Sequence, residues 1–202
     1  MTPPRRKRRS QRVERRTVLL VTNGRVTEDA YLRQLCRRVN HDGISAKVKV
    51  IKGDPLTVVK QLGGPRSDLS EYEEVWIVVD HDGRDRHDFL AKCRRLSSKR
   101  TVVHGVVSVP CFEVWLNAHY APVKNYQNQA DAQTHYRELT GLSSKDAKML
   151  PDDFPWDRGG QAAARCHLPT ESLPEPDTQG PCPSTTMPHL LRSLGLLSAD
   201  DL

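Results

Sequence analysis

The stretch that most restricts the fold is Val75-Trp76-Ile77-Val78-Val79, which runs directly into Asp80-His81-Asp82-Gly83. Five consecutive apolar, mostly β-branched residues leave no polar side to face water. They read as a strand buried on both faces, as in the middle of a parallel sheet. In open α/β sheets, ligands sit just beyond the carboxyl ends of such strands. Two carboxylates one residue apart at that position can converge on one hard cation such as Mg²⁺, which takes oxygen ligands and keeps several waters. The plainer alternative is that acids at strand ends cap turns and the helix that follows.

The rest of the chain supplies partners for this strand. Residues 17–22 form a short β-rich run that stops at Asn23-Gly24, a turn signal. Thr27 is placed to cap a helix, with Glu28 and Asp29 at its positive end. Tyr31, Leu32, Leu35, Cys36 and Val39 make its apolar stripe. Residues 44–51 alternate apolar and polar, as a strand with one exposed face does. Asp54-Pro55 opens a second helix, 84–97 reads as a third, 101–108 as a fourth strand, and 110–120 as a helix packed on the sheet. Alternating strands and helices predict an α/β core over 17–120, with a largely parallel four-stranded sheet flanked by helices. Residues 121–202 read as a mainly helical, Pro-rich extension packing back on it. It is expected to hold a helix over 129–140, an irregular stretch with six prolines over 168–188, and a last amphipathic helix over 189–197.

Composition narrows the setting. The net charge of +6 is concentrated at one end: residues 1–16 hold eight Arg or Lys against Glu14 alone, and the remaining chain is close to neutral. This segment reads as a disordered basic tail, either a solvated terminus or an arm attracted to phosphate backbones. No apolar core follows those charges, so it is not read as a secretory signal. No run approaches the roughly 18–20 apolar residues of a membrane span. The five scattered cysteines suggest reduced thiols and a cytoplasmic protein.

Further acids and turns fall at the same expected edge. Gly24 permits close backbone approach at the end of the first strand, and Glu28 lies one turn on; an ordinary strand-to-helix turn is the alternative. Glu113, flanked by Cys-Phe and Val-Trp-Leu, is an acid among core residues. It either complements a helix N-terminus or serves a site, and if buried it needs a partner. His119 is expected to be structural or a peripheral phosphate contact. Three chemistries use Asp-x-Asp. Haloacid-dehalogenase-type phosphatases carry Asp-x-Asp-Gly-Thr, but Arg84 stands in place of the Thr. Nucleotidyltransferases need a Gly-Ser ahead of their acids, absent here. The Toprim arrangement, an acid after the first strand and Asp-x-Asp after the third, fits the order best.

Three segments resemble the RloB family of Toprim-like proteins: Val18-Leu-Leu-Val-Thr-Asn-Gly-Arg-Val-Thr-Glu-Asp-Ala-Tyr-Leu32, Val75-Trp-Ile-Val-Val-Asp-His-Asp82, and Ser108-Val-Pro-Cys-Phe-Glu-Val-Trp-Leu-Asn-Ala-His119. Pro183-Ser-Thr-Thr-Met187 is a weaker fourth match. The resemblance implies a Toprim-like (Rossmann-like) fold and an Mg²⁺- or Mn²⁺-dependent nuclease. Such a protein would cut RNA or DNA in bacterial anti-phage defence or abortive infection, alongside an ABC/SMC-like ATPase. It implies Asp80, Asp82 and Glu113 as metal ligands, Glu28 as base or second ligand, and Asn23-Gly24 as part of the cofactor-binding turn. One position departs from the family: its first acid is Asn23 here. Asn can coordinate through its carbonyl but cannot act as a base at neutral pH. Two readings follow: an active nuclease in which Glu28 or Glu113 supplies the missing carboxylate, or a catalytically degenerate binding module of a defence complex.

Overall fold

The computed structural model describes residues 15–40, 43–143 and 149–201 of the 202-residue chain. The order is β1 (Arg16–Thr22), α1 (Thr27–Val39), β2 (Ile44–Val50), α2 (Pro55–Leu62), β3 (Glu74–Asp80), α3 (His87–Leu96), β4 (Val102–Val109) and α4 (Glu113–Tyr120), then α5 (Gln129–Thr140), α6 (Gly159–Ala163), β5 (Ser184–Thr185) and α7 (Met187–Ser193). The strands form one sheet in the order β2-β1-β3-β4-β5. The first four are parallel, and β5 joins β4 antiparallel through Ser108–Thr185 and Val109–Ser184. The sheet therefore has five strands, not four. A two-residue strand is too short to show alternation, which is why periodicity passes over it.

β3 sits centrally because its side chains can satisfy two apolar layers at once. Trp76 and Val78 join the cluster that includes α1, α4 and the later helices, while Val75, Ile77 and Val79 join the one that includes α2 and α3. All five are buried, and each Val or Ile so placed contributes about 1.5–3 kcal/mol. Helix α3 comes unusually close to β4 at Gly105, where an added Cβ would lie 2.6 Å from Leu90 Cδ2 and 3.1 Å from Phe89 Cε1. Residues of the extension complete the first cluster: Tyr136, Ala162, Met187, Leu190 and Leu191 are buried against core residues from β1 and α4.

Several boundaries differ from the sequence expectation. β1 begins at Arg16, which had been assigned to the tail; its Nη1 lies 3.1 Å from Glu74 Oε1 and its guanidinium also donates to the Ser193 carbonyl. The remaining tail, residues 1–14, lies outside the described residues. Thr27 is the first helical residue of α1, and Val26 holds the cap position without a side-chain capping bond. At α2 the Asp54 carboxylate does cap, accepting from Thr57 N–H at 2.9 Å. Among the described residues no helix is long and apolar enough to cross a membrane.

Candidate active site

The chain's direction of crossing sets the site. From β1 the chain moves to β2 on one side, then returns past β1 to β3 on the other. The carboxyl ends of β1 and β3 thus form a switch point, where α/β sheets open a crevice. A cavity of about 370 Å³ lies there, lined by Asn23, Gly24 and Arg25 to Glu28 from the β1–α1 turn, Asp80 from β3, Glu113 from α4, and Gln129 and Gln133 from α5.

Asp80 lines this cavity from the end of β3. Its Oδ1 is buried and has no hydrogen-bond partner among the described residues. Its carboxyl is held well above the ordinary aspartate range, first by burial, then by the negative charges of Glu28, Glu113 and Asp82; the Phe112 backbone amide opposes the shift. Mutual repulsion among carboxylates, with an orphaned buried oxygen in their midst, is the electrostatic pattern of a site that receives a cation or a proton. Glu113, 5% exposed, reaches the cavity from the first turn of α4. The same crowding and burial push the Cys111 thiol far up, so it is inert as a nucleophile.

Glu28 reaches back across the β1–α1 turn. A Cβ built on Gly24 would meet Glu28 Cδ at 2.1 Å and both carboxylate oxygens at 2.3 Å. The carboxylate therefore rests on the bare face of Gly24. Gly24 N–H donates to Thr22 Oγ1 at 2.9 Å, which tightens the turn. Asn23 lines the cavity, but its Nδ2 donates to the Gly53 carbonyl at 3.1 Å, tying it to the loop after β2.

Asp82 does not join this group, and the expected convergence of the Asp-x-Asp pair is corrected here. Asp82 has φ of 50° and Gly83 of 69°, and Arg84 N–H closes the turn on the His81 carbonyl at 2.9 Å. Two successive positive φ values make a type I′ turn, for which Asp-Gly is a favoured pair. Strand alternation, which would have put Asp82 beside Asp80, stops at that turn. The Asp82 carboxylate is 45% exposed and sits 3.7 Å from Arg86 Nη2. Arg86, not singled out from the sequence, is buried; its Nε donates to the Asp80 carbonyl at 2.9 Å and its backbone N–H donates to Gln179 Oε1 at 2.8 Å. Gln129 and Gln133 were also missed, because nothing local ties α5 to the strand ends. His119 is structural: it is buried, contacts the Pro155 carbonyl through Nδ1, and is pushed down to about 4 by burial.

The donor set suits a hydrated Mg²⁺ better than a closed cage. Mg²⁺ is commonly held by one or two carboxylates with water and substrate phosphate completing the shell. Asp80 with its orphaned Oδ1, and Glu28 or Glu113 beside it in the same cavity, offer such hard oxygens. Among the described residues no three His, Cys, Asp or Glu side chains already converge as a ligand set.

Against protein-family models, residues 18–194 match the one described as RloB-like protein. The chain belongs to the RloB-like family. The match extends from the third residue of β1 past the end of α7, so it takes in both the strand ends and the later helices. No curated protein and no solved structure matches this RloB-like chain.

Proposed function

We propose that this RloB-like protein is a Toprim-like, Mg²⁺- or Mn²⁺-dependent nuclease that hydrolyses phosphodiester bonds in RNA or DNA. The observation that carries the reading is Asp80: a carboxylate with one oxygen buried and unpartnered among the described residues, at the β1/β3 switch point, crowded by Glu28 and Glu113. Asp80 and one of the two glutamates would hold the cation. When bound, it would polarise a phosphoryl oxygen and make a water more acidic. Glu28, resting on Gly24 across the cavity mouth, is the side chain placed to take the proton of the attacking water, or to fill the ligand position that Asn23 leaves. Glu113, from the first turn of α4, lines the same cavity as a further acid. Asp82 tunes the Asp80 charge and anchors the turn through Arg86. The basic segment 1–15 adds attraction for a polyanion. The family resemblance adds a cytoplasmic setting in anti-phage defence with an ABC/SMC-like ATPase partner.

One observation favours the second reading, a degenerate binding module. Asn23 stands at the position of the family's first acid, and its amide is already engaged by Gly53. The test separates the two. Purified full chain is incubated with end-labelled RNA and DNA oligonucleotides in Mg²⁺ or Mn²⁺. Cleavage that disappears in Asp80→Asn, falls in Glu28→Gln and returns in Glu28→Gln with Asn23→Glu supports the nuclease. Strand binding without cleavage by the wild type, and no gain in Asn23→Glu, supports the binding module.

A further inference from the structure

The cavity has two unlike walls. The strand-end wall carries Glu28, Asp80 and Glu113. The opposing wall is α5, which lies outside the four-strand core and presents Gln129 and Gln133 one turn apart on the same face. Both glutamines are part-buried, and their side-chain amides hydrogen-bond to no other described residue. Other polar groups around this helix are committed: Asn128 accepts from Asp131 N–H, Asp131 accepts from Gln127 N–H, and Asn117 donates to the Ala132 carbonyl. The amides of Gln129 and Gln133, which line the cavity together with the acids, are thus uncommitted among the described residues.

Their chemistry complements a bound phosphate. A lysine there would pair with the acids and fill the cation's place, whereas an amide leaves that charge uncompensated and still offers N–H donors. Gln129 is also the first residue of the 12-residue α5, so the positive end of that helix faces the same space. Arg25, exposed at the mouth, makes no ion pair with any described residue. Donors on one wall and metal-binding acids on the other hold a phosphodiester between them. The cavity's size adds a second constraint. At about 370 Å³, it admits one nucleotide unit, and Asp80 Oδ1 lies out of solvent reach within it. A space of about 370 Å³ cannot take in a base-paired duplex, whereas a strand free to bend can present one nucleotide to it.

We infer that Gln129 and Gln133, with Arg25, form the strand-binding half of the site, and that its substrate is single-stranded nucleic acid or the unpaired loops and ends of a folded one. This rests on the nuclease reading for the cleavage step, but not for strand binding.

The test uses the full chain and one oligonucleotide, free or annealed to its complement. Cleavage in Mn²⁺ is expected to be at least about ten-fold faster on the single strand. Gln129→Ala with Gln133→Ala is expected to raise KM at least about ten-fold, the loss of two charge-assisted hydrogen bonds, with kcat within about two-fold. Mn²⁺ affinity, read by electron paramagnetic resonance, is expected to stay unchanged. Gln133→Glu, which adds a charge facing the phosphate, is expected to weaken binding further. Equal rates on duplex and single strand, or an unchanged KM in the double variant, overturn the inference. Fluorescence anisotropy with a labelled single strand and no added metal distinguishes the two proposals. If the wild type cleaves nothing, the nuclease reading fails, and the α5 inference stands only if the double variant still weakens this binding about ten-fold.

Discussion

Two aspartates meet the same sheet in opposite ways. Asp177, from the Pro-rich stretch, lies against the open edge of β4. Its Oδ1 accepts from Gly105 N–H at 2.7 Å and its Oδ2 pairs with His104 Nδ1 at 2.9 Å, while Arg94 Nη1 donates to its carbonyl at 3.3 Å. Both oxygens are used, and a ladder position that β5 is too short to reach is satisfied. Asp80, at the end of β3, keeps one oxygen orphaned and is surrounded by acids. A carboxylate whose oxygens are both paired is a device of the fold. A buried one left unpaired costs stability, and folding alone gives no reason to keep it. The cost at Asp80 is what singles out the switch-point cavity as the candidate functional site.

The comparison can be broken most directly at its two members. Asp80→Asn is expected to lower metal-dependent cleavage by about 10²-fold or more, while the thermal midpoint of the metal-free protein holds or rises because a buried repulsion is removed. A fall in the midpoint would mean that Asp80 serves the fold after all. Asp177→Ala is expected to cost about 1–3 kcal/mol in urea unfolding, since it strands the Gly105 N–H and the His104 ring. Asp177→Asn, which keeps an acceptor oxygen and tolerates φ of 58°, is expected to cost less. Cleavage by the folded fraction should be spared in both.

The pH dependence sharpens the same contrast. Because the Asp80 carboxyl is raised, the folded chain keeps a proton that the unfolded chain has already released. Above the ordinary aspartate range the folded state therefore binds more protons. Its stability falls as pH rises toward the raised value and is level beyond it. The metal-free wild type is expected to lose thermal midpoint across that window relative to Asp80→Asn, and Mg²⁺ to restore it at neutral pH. Parallel melting profiles for the two proteins would contradict this. The smallest expected effect is at Gly24. Gly24→Ala displaces only the mobile end of Glu28, so a several-fold drop in cleavage is expected, with a stability change of roughly 0.5 kcal/mol or less. Unchanged cleavage would show that Glu28 does not act from where it rests.

Much of the site could be read before the structure. Asp80 follows from a five-residue apolar run, and Glu113 from an acid set among core residues. What could not be read was how side chains turn at the ends of elements. Asp82 followed Asp80 at strand spacing, yet the Asp-Gly pair reverses the chain first and hands its carboxylate to Arg86. That Asp-Gly turn signal stands in the sequence itself. Gln129, Gln133 and Asp177 carried no local signal, because their partners lie on distant elements.

By itself, then, the sequence determined the alternation of strands and helices, the parallel core with β3 inside it, and the placing of acids at strand ends. These depend on periods of 2 and 3.6 residues and on caps and turns, all of them local. The tertiary structure alone decided which acids share a cavity, that α5 supplies its other wall, and that Asp177 closes the edge of β4. Those outcomes depend on how helices seat against the two apolar layers, and the contacts that select the seating join residues far apart in the chain.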